Sequence, residues 1–261
     1  MALDFDGVDD GVDIGANANL NPTLTMTVGC WINLDNTTGS HGFICRGHYG
    51  GGPAAESGGY SFKTNGDELR FTKHAVADIT STGINLSASA WLYVAAAISS
   101  TNVRFYKITT AGVMSTEDVA NSSAFDSTFS DDSRIGLMRG DSGQAIDPMA
   151  GLLCNVIHVG ATLTDVEVAA MAFMLPMRPD VVKGFWPLWG TTTAEPDWSG
   201  FNFHGTVTGA VRVDHPPGIC AIFPQARRPQ ATVAAAGDPE GSLIAGKLLR
   251  GGLLTHGVLV R

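Results

Sequence analysis

The sequence predicts an all-β fold, an antiparallel jelly-roll β-sandwich, over residues 1–217. Three observations lead there. Short apolar segments with period-two alternation follow one another from residue 3 to about residue 160. Turn-forming Gly, Asn and Asp punctuate them, and 32 glycines in 261 residues lie well above the ~7% usual in globular chains. Helical signals are confined to one short stretch after residue 163.

Each element has its own warrant. Leu3 and Phe5 lead into Gly7-Val8-Asp9-Asp10-Gly11, a turn in which Gly accepts positive φ and Asp bonds its own backbone, and Val12 and Ile14 resume the strand. Residues 25–34 alternate. Met26, Val28, Cys30, Ile32 and Leu34 share one face, and Trp31 on the other predicts a central strand covered on both sides. Residues 42–46 form a short apolar strand, and the Gly-rich stretch 48–59 reads as a loop. Thr64-Asn65-Gly66-Asp67 joins strands at 60–63 and 68–73, because Asn-Gly favours tight hairpins. Residues 90–98 and 103–108 make a second hairpin, and strands follow at 134–138 and 151–159. Thr164-Asp165-Val166-Glu167 has capping-box spacing and starts a helix that ends before Pro176. Residues 185–189 and 206–213 return to strand, with a turn-rich loop at 197–205 between them. Residues 218–241 read as a Pro/Ala-rich linker and 242–261 as an extended Gly/Leu-rich C-terminal arm. Its aliphatic and basic residues, Leu248, Leu249, Arg250, Leu253, Leu254, Val258 and Leu259, fit an anchoring or oligomerising arm, and fraying is the alternative.

Composition excludes several classes. Hydrophobic residues at 44% with charged residues at 16% supply a core. A formal net charge of −9 argues against nucleic acid as a partner, since phosphate binding needs a basic patch. No stretch approaches the ~20 apolar residues of a membrane span. The first residues carry no basic-then-apolar leader, so synthesis in a cytoplasm is expected. Cys30, Cys45, Cys154 and Cys220 form no CxxC pair and are expected to be reduced.

Five segments, in order, resemble laminin-G-like domains of the concanavalin A-like lectin/glucanase superfamily. They are Leu3-Asp4-Phe5-Asp6-Gly7-Val8-Asp9-Asp10, residues 26–34 with Trp31, Phe43-Ile44-Cys45-Arg46-Gly47, the Trp91-led hairpin through Tyr106, and residues 151–172. One departure is informative. In many members a segment like Trp186-Pro187-Leu188, an Asp-Xaa-Ser-Gly turn and His-Gly-Thr-Val precede the first strand. Here Asp197-Trp198-Ser199-Gly200 and His204-Gly205-Thr206-Val207 come last. The resemblance therefore implies a circularly permuted sandwich whose C-terminal strand pair lies beside the N-terminal strand and covers its edge. With Asp214-His215-Pro216-Pro217 and the Gly/Leu-rich tail, the layout also resembles proteins encoded by bacteriophages and prophages. That implies a non-enzymatic virion protein, capsid-decorating or head/tail-associated, made in the host cytoplasm. Its partners would be other capsid or tail subunits, its own copies (a trimer is favoured) and surface glycans.

The resemblance also directs the search for sites. Glucanases of this fold pair carboxylates in a Glu-Xaa-Asp-Xaa-Xaa-Glu pattern, which is absent here. Glu117-Asp118 and Asp165-Val166-Glu167 come nearest, and no enzyme is expected. A glycan-active hydrolase is the alternative, as is a secreted bacterial lectin-like adhesin. Family members hold Ca²⁺ at the sandwich rim. Candidates are Asp6, Asp9 and Asp10 in one turn, and Asp131, Asp132, Asp141 and Asp147 near another, with turn shaping the favoured reading. Sugars need aromatic faces with a few placed polar groups. Exposed candidates are His48, Tyr49, Tyr60, His74 and Trp198, whereas Trp31, Trp91 and Trp186 belong to apolar runs and to the core.

Overall fold

The computed structural model describes residues 1–49, 58–126, 133–140, 144–173, 178–189 and 194–214, the side chains of His48, Tyr49 and Arg139 excepted. All belong to the unit Met1–Ala221. The linker, the anchoring arm with Leu248, Leu249, Arg250, Leu253, Leu254, Val258 and Leu259, and Cys220 lie outside the described residues.

The strands are β1 (Ala2–Asp6), β2 (Gly11–Gly15), β3 (Met26–Leu34), β4 (Gly42–Arg46), β5 (His48–Tyr49), β6 (Tyr60–Asn65), β7 (Glu68–Lys73), β8 (Ala77–Thr80), β9 (Leu92–Ile98), β10 (Asn102–Thr109), β11 (Met114–Ala120), β12 (Ser133–Ile135), β13 (Met138–Gly140), β14 (Ala145–Ile146) and β15 (Ala150–Val159). The helix α1 (Asp165–Ala172) follows, then β16 (Val182–Trp186), β17 (Thr206–Thr208) and β18 (Val211–Val213). They build two antiparallel sheets. The first runs β11-β10-β9-β3-β15-β1-β18 with β16 also on β15, and the second runs β17-β2-β12-β4-β6-β7-β8. A small third sheet joins β14, β13 and β5.

The period-two reading of β3 holds on both faces. The strand is buried along nearly its whole length, and Trp31 lies on the side covered by the chain after β15, where its indole N–H donates to Ala172 O at 2.7 Å. Thr27 secures the same cover through Ala161 O and Leu163 N–H. The capping box is formed: Thr164 accepts from Glu167 N–H while the Glu167 carboxylate accepts from Thr164 N–H at 2.8 Å. Cys30, Cys45 and Cys154 are buried free thiols.

Two expected strands break or end early, and two sheet-edge strands were not expected. The segment predicted as one strand over 134–138 is split into β12 and β13 at Gly136. Its φ of +86° and the Phe5 ring packed against its Cα leave no room for a side chain. The segment predicted over 185–189 ends at Trp186, ahead of Pro187, and Leu188 takes φ +57°. Strands β8 and β11 lie in segments with little apolar character. Each is the last strand of its sheet, so neighbour pairing rather than side-chain burial fixes it.

The C-terminal segment joins both sheets: the single closing strand expected over 206–213 is two, split at Gly209, and only the second lies beside the N-terminal strand as the permuted order implies. Strand β18 pairs with β1 (Ala2↔Val213) and β17 pairs with β2 (Thr206↔Asp13). Strand β16 lies on β15 from Val156 to Val159, end to end with β1, which takes Ala150 to Leu153. Among the described residues no helix is long and apolar enough to cross a membrane.

A polar bridge joins the two sheets through the core. The Tyr60 hydroxyl, from β6, lies 3.1 Å from His158 Nδ1, from β15, and Tyr60 stacks on Phe71 with 5.5 Å between ring centroids. Burial, with Lys183 adding to it, pushes the His158 pKa down to about 3. The unfolded chain therefore takes up this proton as pH falls below about 6.5, while the folded chain takes it only near 3. Stability is expected to drop by about 2 kcal/mol between pH 6.5 and 5. Urea unfolding at both pH values is expected to show that loss in the native chain and a clearly smaller one in His158→Gln.

Candidate functional site

Two groups of side chains at the sandwich surface carry chemistry. The first grows from β16. Asp197, 6% exposed, reaches the free edge of this strand and receives four donors. Its Oδ1 accepts from Phe185 N–H at 3.0 Å and Ser199 N–H at 2.8 Å. Its Oδ2 accepts from the Ser199 hydroxyl at 2.6 Å and Phe203 N–H at 3.0 Å. Asp197 N–H donates to His204 Nδ1, and Trp198 N–H donates to Phe185 O. The buried Trp186 indole ties the far side of the loop by donating to Phe203 O at 2.7 Å. The Asp-Xaa-Ser-Gly motif is thus a knot that replaces a neighbouring strand and satisfies a strand edge with a side chain.

The knot leaves aromatic rings outside. Trp198 and Trp189 are 39% and 36% exposed and meet edge to face, with centroids 4.8 Å apart at 74°. Trp189 is held by its N–H, which donates to Glu195 Oε1. Phe201, 38% exposed, stacks on Phe203 at 5.6 Å, and Lys183 Nζ stands 5.7 Å over the Phe201 ring. Trp198 is as exposed as the sequence suggested. Trp189, Phe201 and Lys183 were not singled out there, although Pro187 ahead of Trp189 and the turn ahead of Phe201 both mark strand ends.

Tyr60 and His74 do not join them. Tyr60 and His74 are buried, at 1% and 0%, and the expectation that they are exposed is corrected: Tyr60 sits between Phe71 and His158, and His74 follows β7 inside the fold. His48 and Tyr49 form β5, and their side chains lie outside the described residues.

The second group is the acidic turn. The carboxylates of Asp6, Asp9 and Asp10 converge within 4.8 Å. Asp10 is spent on structure: its Oδ2 accepts from Asp6 N–H at 2.9 Å, and its Oδ1 is covered by Gly209, whose φ of +75° turns the β17–β18 hairpin. Asp6 Oδ1 accepts from Val8 N–H. Burial, with Asp6 and Asp9 nearby, holds the Asp10 carboxyl above the usual range. Calcium takes six to eight oxygens, of which Asp6 and Asp9 supply only a part once Asp10 is engaged. Asp147 is also withdrawn from the calcium set, because it pairs with Lys63 Nζ at 2.6 Å. Asp131, Asp132 and Asp141 lie outside the described residues.

A family model described as the concanavalin A-like lectin/glucanases superfamily, Laminin_G_3, matches residues 6–169. The chain belongs to this laminin-G family. The aromatic surface, built from residues beyond 169, lies outside the matched segment. No characterised protein sequence matches the chain significantly. Among solved structures, a candidate carbohydrate-binding protein from Bacteroides ovatus ATCC 8483 superposes with TM-score 0.57 at 16% identity, over 82% of this chain and 60% of that one. The chain thus spans about 60% of that protein's length. The heptameric SAP-like pentraxin of Limulus polyphemus gives 0.48 at 12%, over 80% of this chain and 95% of that one. The enzymatically active domain of bacteriophage CBA120 tailspike protein 2 gives 0.49 at 10%, over 72% and 33%. At 16% identity the first of these likenesses is one of fold.

Two outcomes follow from the geometry. Asp197→Ala removes an acceptor shared by four donors and is expected to destabilise the sandwich by about 3 kcal/mol, whereas Trp198→Ala costs about 1 kcal/mol; urea unfolding of both variants distinguishes them. The acidic turn is expected to be indifferent to calcium. An unfolding midpoint raised by several degrees on adding millimolar Ca²⁺ to EDTA-treated protein, and lost in Asp9→Asn, would reassign it to metal binding.

Proposed function

We propose that this laminin-G-type sandwich is a non-enzymatic glycan-binding module of a bacteriophage virion protein, docked to capsid or tail subunits through its C-terminal arm. The observation that carries the glycan reading is the Trp189–Trp198 pair: two indoles at 74°, with Trp189 N–H held by buried Glu195, Trp198 N–H held by Phe185 O, and a third or more of each residue open. A pyranose presents apolar C–H faces that stack on such rings, and ring edges with polar neighbours orient it. Rigidity matters as much as area, because a platform already ordered loses little entropy on binding.

The non-enzymatic reading is supported by how the carboxylates nearest a glucanase pattern are employed. Glu117 accepts from Thr82 and Gly83 N–H and stitches the loop after β8 to β11. Asp165 accepts from Arg104 and from the Tyr106 hydroxyl, and the Arg104 hydrogen bond in particular holds its carboxyl below the usual range. Glu167 caps α1. None is arranged as an acid facing a nucleophile across a cleft. The virion reading rests on the resemblance of residues 214–217 and the Gly/Leu-rich tail to phage-encoded chains.

On a glycan array, binding by the native chain is expected to fall at least tenfold in Trp198→Ala and Trp189→Ala, with folding retained, as for stacking residues worth about 1–3 kcal/mol each. Binding unchanged in both variants would sink the platform, and sugar released from a polysaccharide panel would overturn the non-enzymatic reading. Truncation after Gly241 is expected to abolish particle association, and association that persists would remove the arm's role.

A further inference from the structure

We infer that the aromatic surface selects glycans bearing a carboxylate (uronic or nonulosonic acid units), with Lys183 as the group that recognises the charge. This rests on the glycan reading above and adds the class of sugar. Lys183 lies on β16, two residues before Phe185, whose N–H is held by Asp197. Its stem crosses Gly160, where an added methyl group would stand 2.8 Å from Lys183 Cε and displace the stem. Its ammonium stands over Phe201, and the Phe201–Phe203 stack is fixed by the same Asp197 and by the Trp186 indole. Lys183 on β16 and Trp198 on the following loop are joined through Phe185, whose N–H donates to Asp197 and whose O accepts from Trp198 N–H.

The ammonium rests on a ring and not on a carboxylate. Lys63, Arg70, Arg104, Arg134 and Arg178 each lie within 4 Å of an Asp or Glu oxygen, Lys73 and Lys107 donate to amide or backbone oxygens, and among the described residues Lys183 has neither kind of partner. Asp197, the acid of the loop, has both oxygens filled by four donors. A half-buried ammonium on an aromatic face has lost part of its hydration, which strengthens a charge-assisted hydrogen bond to an incoming carboxylate. On a chain of net charge −9 such local positive charge is a selective feature, because acidic polymers are otherwise repelled.

The test uses the full chain and four polymers, alginate, polygalacturonate, hyaluronan and polysialate, each beside its carboxyl-reduced form, with binding read by tryptophan fluorescence and calorimetry. At least one acidic polymer is expected to bind about tenfold more tightly than its reduced counterpart, the size of one charge-assisted hydrogen bond. Lys183→Gln is expected to erase that tenfold preference, read as the ratio of affinities for the acidic and reduced forms of the same polymer. Lys183→Arg is expected to keep it, and added salt to weaken it. Equal binding of acidic and reduced forms, or a preference that survives Lys183→Gln, overturns the assignment to acidic sugars while a Trp198→Ala loss still upholds the platform. Absence of any Trp198-dependent binding across all eight polymers overturns both.

Discussion

Strand β15 has one edge that both halves of the chain must share, and the rest of the molecule is arranged around that. Its other edge is taken by β3 from Gly151 to Val159. The shared edge is divided between β1 on Ala150–Leu153 and β16 on Val156–Val159. At the junction the register slips between Cys154 and Ile157, Asn155 takes φ +52°, and its N–H donates to Pro187 O. A bulge there lets one strand serve two partners arriving from opposite ends of the chain. Once β16 is placed, the chain has to return past the N-terminal hairpin, so β17 and β18 find β2 and β1.

That return creates an exposed strand edge on β16, and Asp197 resolves it. A further strand would have hidden the loop side chains between pleats. A carboxylate with four donors satisfies the backbone in less space and leaves Trp198, Phe201 and Trp189 facing outward. The aromatic surface is thus a by-product of how the sheet edge is satisfied, and its stiffness comes from the same hydrogen bonds. The acidic turn shows the opposite economy: Asp10 looks like a ligand by spacing, but the hairpin at Gly209 closes over it.

Much of this was legible in residues 3–172. Strand β4 ends where its apolar run ends, the hairpin of β6 and β7 turns at Gly66 with φ +66°, and the capping box sits at Thr164 and Glu167. Each depends on neighbours in sequence: side-chain alternation, a positive φ, a side chain meeting the backbone three residues away. Strands β8 and β11 were not legible, because sheet-edge strands bury little and carry mixed polar patterns. Tyr60 and His74 misled for a related reason. Tyrosine and histidine are amphipathic, and a Gly-rich neighbourhood says nothing about whether the far side is covered; His158, ninety-eight residues away, supplies the cover for Tyr60.

The sequence by itself determined the sandwich class, the family, the central position of β3, the helix start and the exposure of Trp198, because each follows from periodicity or from contacts within a few residues. Only the tertiary structure decided that β1 and β16 share β15, that Asp197 is the knot of the candidate surface, that Trp189 and Lys183 belong to it, and that Asp10 is covered. Those outcomes depend on residues far apart in the chain and on which edge remains free once the sheets have paired, and neither quantity is written in any local stretch of sequence.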